Sequence, residues 1–261
     1  MSLKLVTAPV YEPVTLTLAK LWLRRDDTAD DTVIPGLIRA ARDMVETDSR
    51  QHLMPQTWDR AIDGVPDTRE IDLRLAPVQS VISVTSYDED GASSVLSSGD
   101  YYVDTYRQPA RVVLNTDASW PSDVRPHASI VVRMVTGYAG TAIAIASATS
   151  SSTTATVTTT AAHGLTTGDV VVHAGASPAG YNGAFDVTVT GATTYTVVVA
   201  SGLSSPATGT ITATPTNVPN WALLAMRIKM AQAYENRTGT IVEDALYQHL
   251  VNSNRVHTVG D

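Results

Sequence analysis

Two segments near the start of the chain repeat apolar residues at helical spacing. In "TLTLAKLWLRR", Leu18, Leu21 and Trp22 share one face, and Thr17 stands where an N-cap is expected. The segment "TADDTVIPGLIRAARDMVETDSRQHL" repeats the pattern, with Pro35 in the first turn because it would break the helix deeper in. Two amphipathic helices are therefore predicted. The apolar face of the second comprises Ile34, Leu37, Ile38, Ala41, Met44 and Val45.

Short alternating runs follow these helices. They are "QTWDRAI", "REIDLRL", "VISVTSY", "SSVL", "YYVDTY", "RVVLN" and "SIVVRMVTGYA", broken by the turn sequences "DGVPD", "DEDGA" and "SWPSD". Period-two alternation of this kind is typical of strands that bury one face. The pattern predicts a β meander.

A third region, residues 141–215, contains no lysine or arginine and only two acidic residues, Asp169 and Asp186. Runs such as "ATVTTT", "DVVVHAG" and "TYTVVVA" alternate there between turn sequences, whereas a linker would stay polar and aperiodic. We expect an inserted all-β domain of about five strands, with a linker only at roughly 144–154. Its predicted core comprises Tyr181, Phe185, Tyr195 and the valines 197–199.

The segments "VPNWALLAMRIKMAQAYENRTG" and "IVEDALYQHLVNSNR" return to helical spacing, with a break around Gly239. Between Trp221 and Tyr234 only Arg227, Lys229 and Gln232 interrupt an apolar surface. Such a helix must be covered on nearly every side, either as the centre of a small bundle or by a neighbouring copy. It is too short to span a membrane.

Together these elements predict an α+β fold. Two N-terminal and two C-terminal helices form a small helical bundle, joined by a β meander region and an inserted all-β domain. We expect residues 1–140 to hold the first two helices and the β region, and residues 141–216 to form the inserted domain. Residues 217–261 would complete the core with the C-terminal helices and a flexible tail.

Composition narrows the classes of function. The net charge of −8 disfavours direct DNA binding, which depends on lysine and arginine releasing counterions from phosphates. Cysteine is absent, which excludes disulfides and thiolate metal sites. No apolar stretch has the length of a membrane span, and "MSLKLVTAPVYEP" lacks the apolar core of a signal peptide. We therefore expect a cytoplasmic protein without membrane contact.

Sequence motifs for chemistry are absent. There is no phosphate-binding loop, zinc-protease helix, nucleophile elbow or dinucleotide fingerprint. We expect no catalytic residue, no cofactor-binding residue and no metal ion. One histidine, in "AHGL", is interpreted as support for a turn. The histidines lack helical pair spacing and are His52, His127, His163, His173, His249 and His257.

Two acidic clusters have a structural interpretation. "RRDDTADDT" lacks the spacing and the glycine of a calcium loop and lies where the second helix begins, so its carboxylates are expected to face the helix dipole. "YDEDGA" joins two alternating runs and is expected to be a hairpin turn. The clusters comprise Asp26, Asp27, Asp30 and Asp31, and Asp88, Glu89 and Asp90.

The order of these elements resembles the head-tail connector (adaptor) proteins of tailed bacteriophages and related prophages. The resemblance rests on the opening "LTLAKLWLR", the central "PVQSVISVTSY", "IVVRMVTGYAG" and the closing "VPNWALLAMRIKMAQAYENR". It covers residues 15–140 and 217 to about 240. The family pattern runs from "GY" almost directly into "VP", so the charge-free insert is a departure from it. The insert itself resembles small β modules of phage structural proteins through "AHGLTTGD" and "YNGAFDVT".

The resemblance implies a structural virion protein without enzymatic activity. Connectors form a homo-oligomeric ring of about a dozen copies between the portal protein and the tail or neck (stopper or tail-terminator) protein. They complete the filled head and provide the platform for tail attachment. The genomic DNA passes through the lumen without specific binding, and excess carboxylates there would let it slide. The protein would reside in the virion neck, and in the host cytoplasm before assembly.

Two sets of contact residues follow from this ring hypothesis. The third helix would supply an oligomer interface, and a polar tail after the fourth helix would grip the portal, with residues 255–261 mobile in the free protein and ordered in the particle. The insert would be a decoration, or would bind a tail protein or a host-surface molecule. The interface residues are Trp221, Leu223, Met226, Met230 and Tyr234, and the tail residues are Arg255, Val256 and His257.

Two other classes remain open from the sequence. A β-rich phage adhesion or fibre component would form trimers. A carbohydrate-active or esterase-like enzyme built around the insert would place carboxylates 26–31 or 88–90 in a cleft.

Overall fold

A computed structural model describes residues 2–236 and 244–257 of the chain. Within them the chain combines helices with antiparallel sheets, so the predicted α+β fold is confirmed. The helices are α1 Leu16–Leu23, α2 Ile34–Ser49, α3 Asn220–Glu235 and α4 Ala245–Asn254. The strands are β1 Ser2–Thr7, β2 Gln56–Ile62, β3 Glu70–Asp72, β4 Val78–Tyr87, β5 Ser93–Val95, β6 Tyr101–Asp104, β7 Arg111–Leu114, β8 Ile130–Thr136, β9 Ile143–Ser151, β10 Thr154–Thr159, β11 Val170–Ala174, β12 Gly183–Asp186, β13 Thr188–Gly191, β14 Thr194–Val198 and β15 Thr212–Pro215.

The chain divides into two compact units. The first consists of residues 1–9, 45–138 and 251–261, and the second of residues 10–44 and 139–250. The second unit therefore holds the inserted strands together with α1, α3 and parts of α2 and α4. The domain boundaries predicted at 141 and 216 remain a prediction.

The first unit contains two antiparallel sheets. One has the strand order β1-β2-β8-β4-β5 and the other the order β3-β7-β6. A single apolar cluster draws residues from both sheets, among them Val84, Val132 and Met134 from the first and Val112 and Leu114 from the second. The predicted strands are all present, because period-two alternation marks which face of each strand is buried. They do not form the predicted meander, however, since β8 pairs with β2 and β4, and β7 pairs with β3. Alternation reports burial and not which strand lies next to which.

The larger of these sheets has an apolar face and a polar face. Trp58 on β2 pairs with Met134 on β8, which is fully buried. The neighbouring pair, Asp59 and Arg133, lies on the opposite face and forms a bidentate ion pair with both N–O distances at 2.8 Å. Neighbours across strands share a face, so this register separates core from surface along the whole sheet.

Strand β1 was not predicted from the sequence. Its "SLKLVT" alternates, but all six residues are exposed, so burial does not explain why it is a strand. It forms because it pairs with β2, for example through Leu3 with Arg60 and Lys4 with Asp59.

The insert forms one sheet with the order β12-β11-β15-β9-β10-β14-β13. It has seven strands rather than the expected five, and the expected linker at 144–154 is wrong. Those residues form the β9–β10 hairpin, because isoleucine, threonine and serine alternate there as in a half-buried strand. Tyr181 and Tyr195 are buried in the core as predicted, and Phe185 packs against it. Val198, in contrast, is exposed.

The two ends of the insert meet, as an insertion into an existing fold requires. The N–H of Gly140 donates to the carbonyl of Pro215 at 2.7 Å, and that of Ile145 donates to Ile211 at 3.0 Å. The first and last strands of the insert therefore begin and end side by side, close to the start of α3.

Helix α1 starts two residues earlier than predicted. Thr15 rather than Thr17 is its N-cap, with the Thr15 hydroxyl accepting from the N–H of Leu18 at 3.2 Å. Ala19 is the buried residue of this helix, whereas Leu21 is exposed. Helix α2 begins at Ile34 and has Pro35 in its first turn as predicted; its buried apolar residues are Ile34, Ile38, Ala41 and Val45.

Candidate assembly surfaces

Helix α3 buries one face and leaves apolar residues on another. Met226 and Met230 are 0 % exposed, so both belong to the core of the subunit. Trp221 and Leu223 are half-buried, and Leu224 is 38 % exposed. The described residues of the chain therefore do not cover this helix on every side. Its apolar surface around Leu224 is free for a contact with another molecule.

The C-terminal end of α3 is fastened to the connection between α1 and α2. The Tyr234 hydroxyl donates to a carboxylate oxygen of Asp30. The guanidinium of Arg25 lies 5.8 Å from the centre of the Tyr234 ring, within the range of a cation–π contact. These contacts fix the orientation of α3 within the second unit.

The start of α3 borders a cleft of about 290 Å³ in the second unit. Its walls are the loop 167–170 of the insert, the segment 215–218 that leads into α3, and Pro13 and Leu18 around the start of α1. Leu223 lines the same cleft. Leu223, a predicted interface residue, therefore lines a cleft formed by residues of its own chain.

Val170 of the cleft wall pairs across strands with a half-buried carboxylate, Asp186. Asp186 on β12 accepts a 2.5 Å hydrogen bond from Thr15, while its second oxygen is buried without a partner among the described residues. Burial raises the pKa of Asp186, and the bond from Thr15 opposes that rise.

A second cleft, of about 350 Å³, lies in the first unit and is lined mainly by charged residues. Burial lowers the pKa of Arg60 there to about 10, and the charge of Asp72 acts against this shift. Acidic side chains outnumber basic ones along its walls, which is unfavourable for binding nucleic acid. The charged lining residues are Arg60, Asp63, Asp67, Glu70, Asp72 and Arg74.

The acidic clusters have structural partners. In the first, Asp31 pairs with Lys20 at 2.7 Å and Asp27 with Arg25 at 3.3 Å. In the second, Asp88 accepts from the N–H of Ala92 at 2.7 Å, which confirms the predicted hairpin turn. Neither cluster lines either of the two clefts. Across residues 2–236 and 244–257, no group of three or more His, Asp or Glu side chains is placed to hold a metal ion.

Two histidines stabilise the insert. His163 accepts from the N–H of Leu165 at 2.9 Å and lies 3.0 Å from the carbonyl of Gly191, which confirms its predicted role in a turn. His173 is buried, and its Nε2 lies 2.7 Å from the Tyr195 hydroxyl. Burial lowers the pKa of His173 to about 4, so the side chain is neutral at physiological pH.

The predicted portal-contacting tail begins after α4. Val256 is buried, and its N–H donates to the carbonyl of Ser49 at 3.0 Å. Arg255 and His257, on either side of it, are exposed. Val256 thus anchors this segment to the end of α2, while the side chains on either side of it face solvent. The rest of the predicted mobile segment, 258–261, lies outside the described residues.

Apolar residues of strand β1 form another exposed surface, which the sequence interpretation missed. Leu3, Leu5 and Val6 are each about 40 % exposed on the edge strand of the larger sheet. The alternation of Leu3, Lys4 and Leu5 was the available signal, but a single short run without turn residues before it is a weak one.

None of the helices in the described part of the chain is long and apolar enough to cross a membrane.

No protein-family model matches the chain, and no curated protein matches it. The chain does match solved structures. A chain from the neck of an empty gene transfer agent (GTA) particle, computed with C6 symmetry, has a TM-score of 0.61 and 14% identity over 100% of this chain and 99% of that chain. One from the virion of a native GTA particle has a TM-score of 0.60 and 14% identity over the same shares. One from the neck of a native GTA particle, computed with C12 symmetry, has a TM-score of 0.55 and 15% identity, again over the same shares. The similarity shows a shared fold that includes the insert.

Proposed function

We propose that this chain is a structural protein of the neck of a tailed phage or phage-like particle, where copies of it form a ring between the portal and the tail. The observation that carries the proposal is the full-length similarity in fold to chains of GTA neck and virion structures. It agrees with the resemblance to head-tail connectors found in the sequence. The match covers the insert as well, which favours one functional unit over a connector with an unrelated addition.

The surfaces of the chain support assembly rather than catalysis. Exposed apolar residues lie on α1, α3 and β1, as Leu21, Leu224 and Leu5. The two acidic clusters are engaged in ion pairs and a turn. A heterologous contact repeated around an axis closes a ring and buries such surfaces. Six or twelve copies agree with the symmetries used for the GTA necks, and we favour a ring of about twelve.

The partners in this proposal are the portal protein on one side and a stopper or tail-terminator protein on the other. Arg255 and His257, held by the buried Val256, are the proposed contact with the portal. The net charge of −8 suits a channel through which DNA passes without being held. The ring would reside in the virion neck after assembly from free subunits in the host cytoplasm.

Size in solution tests the proposal. Light scattering after gel filtration, together with negative-stain images, should reveal closed rings, or subunits that become rings on incubation with portal-bearing heads. Stable trimers would favour the fibre component instead. A monomer that neither closes into rings nor binds heads would contradict the proposal.

A further inference from the structure

Strand β1 is an edge strand with exposed apolar residues that no other described strand covers. It pairs on one side with β2, and no other described strand pairs with its outer side. An edge strand with exposed leucines offers its free backbone groups to any extended segment, and soluble proteins usually protect such edges. We therefore expect another extended segment to pair with the outer side of β1.

The register assigns each side chain of β1 to a face of the sheet. Leu5 lies in a row with Trp58 and Met134, on the face that carries the core. Leu3 lies in a row with Arg60 and Val132 on the same face. The apolar layer of the sheet thus extends to its edge and ends there half-exposed.

Lys4 lies on the opposite, polar face. It is in a row with Asp59 and Arg133, the bidentate ion pair. This row continues across the sheet to Ser83 on β4. Strand β1 thus carries its apolar and its polar side chains on the same faces of the sheet as the interior strands do. Its apolar face is therefore suited to a contact that covers it.

Near the opposite edge of the same sheet, part of strand β4 also lacks a pairing strand among the described strands. Strand β4 has ten residues, but β5 pairs only with residues 85–87 and a further bond from Leu96 reaches Val84. Among the described strands, none pairs with the outer side of residues 78–83. This free segment is six residues long, the same length as β1. Val78 and Val81 on it pack against the apolar core.

The directions of the two edges also match. Strand β1 is antiparallel to β2, β2 to β8, and β8 to β4. Strands β1 and β4 therefore run in opposite directions. A translated copy of the sheet would bring them together as an antiparallel pair, with Leu3 and Leu5 on the same face as Val78 and Val81.

We propose that β1 of one subunit pairs with residues 78–83 of β4 in the next, so that the sheets of neighbouring copies join into one continuous antiparallel sheet. The occupant is a second copy of this chain, because both halves of the contact lie on the same sheet and differ from each other. Such a contact is heterologous and closes a ring rather than a dimer. The inference rests on the proposed ring and names the contact that holds it together.

The irregular register of β4 would make this edge selective for the strand that pairs with it. Its register against β8 shifts between Val78 and Ser80 and again between Val81 and Ser83. Bulges twist an edge away from indiscriminate partners. Pairing is thereby restricted to a strand whose side chains fit, and β1 offers leucines toward the core face.

The absence of cysteine from the chain allows a direct test by cross-linking. Lys4→Cys combined with Ser80→Cys, or with Ser83→Cys for a second register, places both thiols on the polar face and spares the core. Oxidation or a short bis-maleimide should link each subunit to the next and yield a ladder of covalent multimers on a denaturing gel. Each single variant should remain uncross-linked. Dimers from Lys4→Cys alone would overturn the proposal, since they indicate β1 pairing with itself.

A second measurement uses the association constant of the full chain. Leu3→Ser with Leu5→Ser should weaken self-association at least tenfold in analytical ultracentrifugation. The thermal transition should fall by only a few degrees and stay cooperative, because both side chains are already about 40 % exposed. Val10→Ser, which replaces an exposed apolar residue outside β1, is the matched control and should have no effect. If the double cysteine variants form rings that do not cross-link, or if the double serine variant associates with unchanged affinity, the β1–β4 contact is wrong. Either result leaves the proposed neck function intact. A chain that stays monomeric at every concentration and on heads overturns both.

Discussion

The hydroxyl group of Thr15 donates a 2.5 Å hydrogen bond to Oδ2 of Asp186. The same hydroxyl accepts from the N–H of Leu18 as the N-cap of α1, so one residue both starts a helix and binds the edge strand β12 of the insert. The other oxygen of Asp186 is buried and has no hydrogen-bond partner in the described part of the chain, which makes the ionised carboxylate costly.

Asp186→Asn should therefore stabilise the protein at neutral pH. The pKa of Asp186 is raised in the folded state, so its contribution to stability is largest below the ordinary carboxyl range and is lost as the pH rises through the raised value. The gain from asparagine should accordingly shrink in acid. Thermal unfolding of the variant and of the unmodified protein, at neutral and at acidic pH, measures this gain in stability. Asp169→Asn is the control with the opposite sign, because Asp169 accepts two bonds from Thr166 that need its oxygens.

Acid should weaken the insert through His173. Its pKa is lowered from 6.5 to about 4 by burial, so between these values the unfolded chain binds a proton that the folded chain does not. Stability falls as the pH drops through this window, by on the order of 3 kcal/mol in total. His173→Gln removes the titration and should flatten the dependence of the unfolding free energy on pH. An unchanged slope in the variant would show that His173 is not the group responsible.

Helix α3 carries a fully buried residue, Met230, and an exposed apolar residue, Leu224, so the same substitution can be compared at the two sites. Met230→Asp places a charge at a fully buried site and should unfold the subunit, at a cost of several kcal/mol. Leu224→Asp should leave circular dichroism and the thermal transition intact but reduce assembly. Leu224→Asp protein that assembles normally would remove this helix from the interface.

Much of the fold could be predicted from the sequence because the signal was local. Alternation located the strands of the first unit, though not their order in its two sheets, and helical spacing located α2, where Ile34, Ile38, Ala41 and Val45 are buried as expected. The errors arose where an element depends on a distant partner. Strand β1 exists because β2 lies beside it, and strand β9 was hidden in a polar serine-threonine run. Met226 and Met230 could not be told from Leu224 by sequence, because an all-round apolar helix does not reveal which side its own chain covers.

Deleting the insert should leave a folded subunit. Gly140 and Pro215 are joined by a 2.7 Å hydrogen bond, so linking Gly140 directly to Asn217 closes the chain with little distortion. The variant loses the bond between Thr15 and Asp186, which is worth about 1 kcal/mol. A single cooperative thermal transition, shifted down by a few degrees, is the expected result. Loss of the cooperative transition would show that the helices of the second unit need the insert in order to fold.

The tail can be tested without disturbing its anchor. Arg255→Ala with His257→Ala leaves Val256 in place, so stability should be unchanged while docking to portal-bearing heads decreases. Truncation after Asn254 also removes the burial of Val256 and its bond to Ser49, and should lower stability by about 1–2 kcal/mol. Heads that are completed equally well by the double alanine variant would exclude these side chains from the portal contact.

Cryo-electron microscopy of particles that carry this chain tests the neck assignment most directly. We expect density for the seven-stranded sheet of the insert and for the helices of the chain at the head–tail junction, repeated around the axis as a closed ring, with β1 of each copy beside β4 of the next. Density for the chain at a fibre or baseplate, or a junction that contains no copy of it, would contradict the account.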